Sequence, residues 1–153
     1  GGVAKGDLGK ENVEAVKKGV PACDVFISVA AVSDYRVKNP AAQKIKKANG
    51  KALTLQLEEN TDILAWVAAL PKPPFCVGFA AESEQLERHA REKRAKKKLP
   101  LLAANLAREA IGRDDNAITL FDDQGEHPLG RGAKLDLARK LVAHVAGMLP
   151  GRK

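Results

Sequence analysis

The sequence predicts an α/β fold built on a mostly parallel sheet, and two observations lead there. Residues 24–32 (DVFISVAAV), 75–81 (FCVGFAA) and 101–104 are short, nearly continuous apolar runs, the pattern of strands buried on both faces. Between them lie segments with apolar residues at three- and four-residue spacing, and strands alternating with helices make a parallel sheet.

Each element has its own signal. Residues 11–18 form a short helix, with Val13 and Val16 on one side and Gly19 just past its end. The strand at 24–32 follows. Residues 33–39 are polar, Pro40 marks a loop, and residues 44–47 (KIKK) lead to Asn49-Gly50, a turn signal. Leu53, Leu55 and Leu57 alternate with Thr54, Gln56 and Glu58, which predicts a half-exposed strand. Thr61 is placed to cap a helix, with Asp62 in the first turn where the dipole favours negative charge. Ile63, Leu64, Val67 and Leu70 share one face of that helix, and Pro71 stops it. After the strand at 75–81 comes a long charged helix over 84–98, with Leu86 and Ala90 as a thin apolar stripe. Residues 101–104 are a third buried strand, closed by Asn105. Residues 116–121 are a fourth, which Asp122-Asp123-Gln124-Gly125 turns into a short return. The last helix, 134–149, is expected to turn Leu135, Ala138, Leu141, Val142, Val145 and Leu149 inward.

The 153 residues amount to one domain, with no visible repeat and 44% hydrophobic content to fill a core. No apolar run approaches the ~18–20 residues of a membrane span. Lys and Arg number 26 against 19 Asp and Glu, and the net charge of +7 predicts an anionic partner. Two cysteines, Cys23 and Cys76, cannot build a disulfide framework, and residues 1–10 show no signal peptide. The expected compartment is therefore reducing and cytoplasmic.

Parallel α/β sheets bind ligands beyond the carboxyl ends of their strands. Here those ends carry Ala30-Ala31-Val32-Ser33-Asp34-Tyr35-Arg36, Gly78-Phe79-Ala80-Ala81-Glu82 and Ala103-Ala104-Asn105. Small residues there let a ligand approach closely, and Asp34 or Asn105 could bond a base, a ribose or a metal-bound water. Tight strand–helix packing is the other explanation for the small residues. Residues 88–98 hold seven Lys or Arg and one Glu, and four-residue spacing sets Lys93 and Lys97 on the face of Ala90. Both could reach phosphates at the crevice, or simply belong to a solvated cationic face. Lys44, Lys46 and Lys47 occupy a loop able to close over a triphosphate. Cys23 and Cys76 are expected to be core thiols, and His89, His127 and His144 surface residues without ligand or triad spacing. Trp66 is expected to pack. Neither GxGxxG nor a P-loop occurs.

The runs 30–36, 44–47, Asp62-Ile63-Leu64, 77–82 and Ala104-Asn105 stand in this order along the chain. Together they resemble phosphopantothenoylcysteine synthetase, the ligase of coenzyme A biosynthesis, which many bacteria fuse behind a flavin-dependent decarboxylase. The resemblance runs from Val25 to the end of the chain. It implies a Rossmann-like domain with helices on both faces of the sheet, dimeric, using CTP to activate the carboxylate of 4′-phosphopantothenate with magnesium assisting. L-cysteine then displaces CMP to form the amide. FMN would belong only to a decarboxylase domain outside this chain, and neither membrane nor nucleic acid is an expected partner. The resemblance carries nucleotide contacts onto Ser28, Val29, Ala30, Asp34, Lys44, Thr61, Asp62, Ile63, Leu64, Phe79, Lys93 and Lys97. Lys44 takes the catalytic role, and Asp34 is the candidate metal ligand. Thr61 departs from the family's Asn-Pro-Asp. The family's first strand, Gly-rich loop and Ser-Asn-x-Ser-Ser-Gly segment are expected before Asp24 and do not occur, so the 1–153 synthetase domain is expected to be catalytically incomplete as it stands. The residues leave CTP against ATP open. Two other readings also stay open: a basic nucleic-acid-binding module using residues 88–98, and a non-catalytic dimerising fragment.

Overall fold

A computed structural model of the chain describes residues 10–29, 34–47, 49–107, 112 and 115–150. Helix α1 (Lys10–Gly19) runs through a single 3-10 turn (Val20–Ala22) into β1 (Val25–Ser28). A small antiparallel ribbon, β2 (Tyr35–Val37) with β3 (Leu57–Glu59), precedes α2 (Ile63–Ala68). Then follow β4 (Phe75–Glu82), α3 (Leu86–Lys97), β5 (Leu101–Leu106), β6 (Asp115–Asp122), β7 (Gly125–Ala133) and α4 (Lys134–Met148). The main sheet has the order β1-β4-β5-β6-β7. β1, β4 and β5 are parallel, β6 is antiparallel to β5, and β7 is antiparallel to β6, so only β6 opposes the common direction. The architecture is the expected Rossmann-like α/β one.

Strand alternation divides the core into two. On one face Cys76, Ala80, Leu102, Ala104 and Phe121 pack against Leu64 and Val67 of α2 and Ala90 of α3, with Val16 of α1 at the margin. On the other face Val77, Leu101, Ala103 and Leu120 pack against Leu141 and Val145 of α4. Helices thus cover both faces. Gly78 shows how tight the first face is. A Cβ there would lie 2.8 Å from Leu99 Cδ1, 2.9 Å from Leu102 Cδ1 and 3.0 Å from Leu64 Cδ2. Ala80, Ala103 and Ala104 are likewise core residues. Among the described residues, close packing accounts for Gly78, Ala80, Ala103 and Ala104, while Ala81 is exposed.

Four expectations are corrected. The polar segment 33–39 holds β2, because Tyr35, Arg36 and Val37 pair with Glu59, Glu58 and Leu57, and Arg36 Nε bonds Glu58 Oε1 at 2.8 Å. The alternating leucines do not form the expected strand. Pairing begins only at Leu57, and Leu53, Leu55 and Leu57 are all exposed, because β2 offers just three partner residues. In α4 the buried line is Leu137, Leu141 and Val145, at four-residue spacing, while Leu135, Ala138 and Val142 face outward. The expected short return is a nine-residue strand, β7, that pairs along β6 with a bulge at Ile118/Thr119 beside Gly130 (φ +79°). Pro128 is tolerated there because β7 is an edge strand.

The cap of α2 is also reassigned, from Thr61 to Asp62. Asp62 has extended backbone, and its Oδ1 accepts from Ala65 N–H at 3.0 Å. Partial burial pushes the Asp62 carboxyl up, but the Ala65 bond, the hydrogen bond from Lys97 and the charges of Lys97 and Lys96 together hold it below its ordinary value of 3.8. A depressed carboxylate stabilises the fold above its unfolded pKa and loses that contribution as pH falls through the folded one. Asp62→Asn keeps a capping oxygen and removes the charge, so its stability deficit at pH 7 should shrink below about pH 4. Asp62→Ala removes the cap as well and should cost about 1 kcal/mol at neutral pH. Urea unfolding of the three proteins at pH 7 and pH 3 measures both effects.

Candidate functional site

The carboxyl edge of the parallel strands is set by register. Ser28 ends β1 opposite Gly78, while β4 continues to Glu82, paired with Leu106 of β5. Side chains at 76, 78, 80 and 82 point to the α2–α3 face, so Glu82 lies under α3, its side chain 10% exposed. Lys93 Nζ sits 2.6 Å from Glu82 Oε1, at an angle unsuited to a directed hydrogen bond, so the pair is held by charge. His89 Nδ1 lies 3.3 Å from Oε2 of the same carboxylate. One helical turn beyond Lys93, Lys97 Nζ lies 3.0 Å from Asp62 Oδ2 at the start of α2. The expected pairing of Lys93 and Lys97 on one face is present. Each ammonium is matched to a carboxylate of this chain and keeps partial exposure, 49% and 31%.

The ribbon adds Asp34. Asn60 N–H donates to the Asp34 carbonyl at 2.7 Å, so Asp34 lies alongside the segment that enters α2 through Thr61 and Asp62, and the residue is exposed. Thr61 is exposed as well. Ile63 is half-buried and Leu64 is core packed over Gly78, so the Leu64 side chain serves the fold. Ser28 shares the face of Gly78. Val29 is exposed, and Ala30 lies outside the described residues. Phe79 points to the opposite, α4 face, where it and Ile27 stay partly exposed. Lys44 is exposed in the irregular stretch between β2 and β3. The structure therefore gathers Asp62, Lys93 and Lys97 around α2 and α3, sets Asp34 beside the entry to α2, and puts Phe79 on the opposite face of β4.

Sequence reasoning missed Glu82 and His89 as members of this group. The available signal was His89 standing four residues before Lys93, on the same face of α3. His127 and His144, expected as surface residues without ligand or triad spacing, are partly exposed but converge on Asp122. His127 Nε2 lies 2.9 Å from Asp122 Oδ1 and His144 Nε2 lies 2.9 Å from Oδ2, with the rings 4.7 Å apart. Asp122 is buried at the end of β6, and Gln124 N–H also donates to its Oδ1 at 2.8 Å. Burial pushes the Asp122 carboxyl up, yet the bonds from His127, His144 and Gln124 and the charge of His127 leave it below its ordinary value.

Cys76 is the core thiol expected. Burial first, and Cys23 nearby, push its pKa up to about 11, so it carries no thiolate at neutral pH. Cys23 is half-buried, its Sγ donating to Val25 O at 2.7 Å. Trp66 is partly exposed, with Lys17 Nζ 5.8 Å from its ring centroid. A cavity of about 440 Å³ opens at the other end of the sheet, between Pro73, Pro74, Phe75, Pro100 and Leu149. It holds none of the expected contacts. Among the described residues no helix is long and apolar enough to cross a membrane.

Comparison with known proteins agrees with this architecture. Coenzyme A biosynthesis bifunctional protein CoaBC of Vibrio cholerae is 43% identical over 139 residues, covering 88% of this chain and 35% of the relative. The chain thus spans about a third of the length of that curated relative. The crystal structure of the C-terminal domain of a CoaBC protein superposes with a TM-score of 0.72 at 26% identity, over 91% of this chain and 61% of that one. A Cab2 mutant in complex with phosphopantothenate-cysteine shares the fold, with a TM-score of 0.66 at 16% identity, over 89% of this chain and 52% of that one. Residues 7–149 match the family described as DNA/pantothenate metabolism flavoprotein, C-terminal domain, and the chain belongs to that family.

Proposed function

We propose that this chain contributes the ligase chemistry of coenzyme A biosynthesis, as phosphopantothenate–cysteine ligase. A carboxylate oxygen of 4′-phosphopantothenate attacks the α-phosphorus of CTP, and pyrophosphate leaves. The amine of L-cysteine then attacks the acyl carbon of the resulting acyl-cytidylate. CMP leaves, and the nitrogen gives up its proton as the amide forms. Neither step needs a side-chain nucleophile, so the protein's task is to hold anions together and to offset the charge that builds on the leaving phosphates. The observation that supports this most is the meeting of Lys93 and Lys97 with Glu82 and Asp62 where α2 and α3 pack side by side. Those carboxylates balance the ammonium groups within the chain. A triphosphate, carrying more charge, can replace them while the lysines stay in place.

Asp34 is the residue proposed to help hold Mg2+. An exposed carboxylate suits that ion, which commonly takes one or two protein carboxylates and completes its shell with substrate phosphates and water. Bound there, magnesium would neutralise phosphate charge. Ser28 ends β1 and Val29 follows it at the same edge, where backbone groups can meet the nucleotide. Lys44 would approach from the ribbon loop, as a lid residue does. Phe79 offers a ring on the far side of β4.

The ribbon supports a further part of the reading, a homodimer. Tyr35, Ile45, Leu53, Leu55 and Leu57 are exposed large apolar residues within one excursion of the chain. An apolar surface of that kind marks a contact site, and a second copy is the occupant proposed.

Four measurements test these proposals: calorimetry, melting, turnover and sedimentation. With magnesium present, CTP should bind in calorimetry and raise the melting temperature, since a ligand that binds only the folded state stabilises it. ATP and UTP titrated alongside settle the base preference. Lys93→Ala and Lys97→Ala should weaken binding by more than tenfold, while Lys98→Ala changes it little; equal losses at all three would point to diffuse attraction. In the full-length protein, Lys44→Gln should leave melting unchanged and lower turnover by about 10²–10³, with Lys46→Gln affecting turnover much less. Sedimentation should find a dimer that Leu55→Asp dissociates, and a monomeric parent protein would remove the dimer from this reading.

A further inference from the structure

The cluster at the tip of the β6–β7 hairpin has no part in the chemistry above. Asp122 ends β6, His127 sits on β7 opposite Leu120, and His144 comes from α4, so three separate elements converge on the α4 face of the sheet. Taking one ligand atom from each residue, a carboxylate oxygen and one nitrogen of each imidazole, the three lie within 4.8 Å of one another. Asp122 is only 4% exposed through its side chain, whereas His127 and His144 are 35% and 23% exposed. One side of the cluster is therefore anchored in the protein and the other open to water.

We propose that Asp122, His127 and His144 form a binding site for a late first-row divalent cation of the zinc class. Two imidazoles and one carboxylate are a donor set this class prefers, whereas Mg2+ and Ca2+ favour oxygen alone. The two Nε2–carboxylate separations are 2.9 Å. Donors about 2.0–2.1 Å from a tetrahedral zinc lie roughly 3.3 Å apart. His127 faces Oδ1 and His144 faces Oδ2, so on binding the two rings, 4.7 Å apart between centroids, would turn to bring both nitrogens onto one ion. Each Nε2 would give its hydrogen to solvent exchange and the ring would carry it on Nδ1 instead, leaving a lone pair for the metal. Three protein donors leave a fourth position for water on the open side. The Gln124 N–H bond to Asp122 Oδ1 fixes the carboxylate from behind. Neighbouring carboxylates do not compete for the ion, since Asp123 bonds Arg94 at 2.8 Å and Glu126 bonds Arg91 at 2.6 Å. The bound ion would tie the hairpin to α4.

The test uses the whole chain, stripped with a chelator and titrated with ZnCl2, then with CoCl2 as a spectroscopic probe. The expected result is one equivalent bound, a higher melting temperature, and visible Co2+ bands of a low-coordinate, imidazole-ligated ion. His127→Asn and His144→Gln keep hydrogen-bonding side chains toward Asp122 but are poor ligands. Each should weaken zinc binding by at least ~10-fold, the loss already seen when only an outer-shell partner is removed. His89→Ala should bind zinc as the parent does. No binding at 100-fold molar excess, zinc affinity unchanged in both histidine variants, or an equal loss with His89→Ala would each overturn the proposal. Circular dichroism of each variant separates loss of the site from loss of the fold.

Discussion

The packing of β4 between two cores is the constraint on which the rest depends. Its residues alternate between the α2–α3 face and the α4 face, and on the first face Gly78 leaves no room for a side chain beside Leu64, Leu99 and Leu102. A larger residue would force those leucines apart and with them α2 and the turn after α3. The separation of these two elements decides whether Lys97 can reach Asp62. The same alternation puts Glu82 beneath α3 and Phe79 on the far side. The electrostatic geometry of the candidate site is thus a consequence of core packing.

The positive charge of the protein looks different once it is placed. Five basic residues of α3 are paired with acidic groups of the chain: Arg88 with Glu92 along the helix, Arg91 with Glu126 and Glu87, Lys93 with Glu82, Arg94 with Asp123, and Lys97 with Asp62. Two of these pairs hold the β6–β7 hairpin, and two meet elements of the parallel edge. Pairs whose two partners are both exposed contribute little to stability singly. Their more definite effect is to fix where α3 lies. A helix that reads in sequence as one cationic stripe is divided in space by partners from different elements.

Much of the fold was legible because its signals are local. The apolar runs at 75–81 and 101–104 read as buried strands, as β4 and β5 are, and the turn at Asp122–Gly125 sits where it was expected. The pairing of Lys93 with Lys97 followed from helical spacing alone. What stayed hidden depends on contacts distant in sequence. Tyr35–Val37 becomes a strand only because residues 57–59 return to pair with it, and Leu53 and Leu55 lie outside that short overlap. Thr61 and Asp62 are both good caps, and only backbone geometry distinguishes them. In α4 two apolar lines compete, and packing against the sheet chose Leu137, Leu141 and Val145. His144 lies 22 residues from Asp122, so no motif spacing joins them.

The β6–β7 hairpin connects these features physically. On one face its turn and β7 meet α3 through Asp123 and Glu126. On the other, Asp122 and His127 meet α4 through His144, and Lys140 Nζ bonds Leu129 O at 3.1 Å. Alternation along β6 makes the arrangement possible: Phe121 belongs to the core under α3, with Arg91 6.0 Å from its ring centroid, and Asp122 turns to the opposite side. Shifting the hairpin register by one residue would exchange these faces, withdrawing Asp122 from both histidines and the flanking acids from both arginines. The left-handed backbone at Gly125 (φ +120°) and the bulge beside Gly130 hold that register, so two glycines without side chains of their own determine which charges face α3 and which face α4.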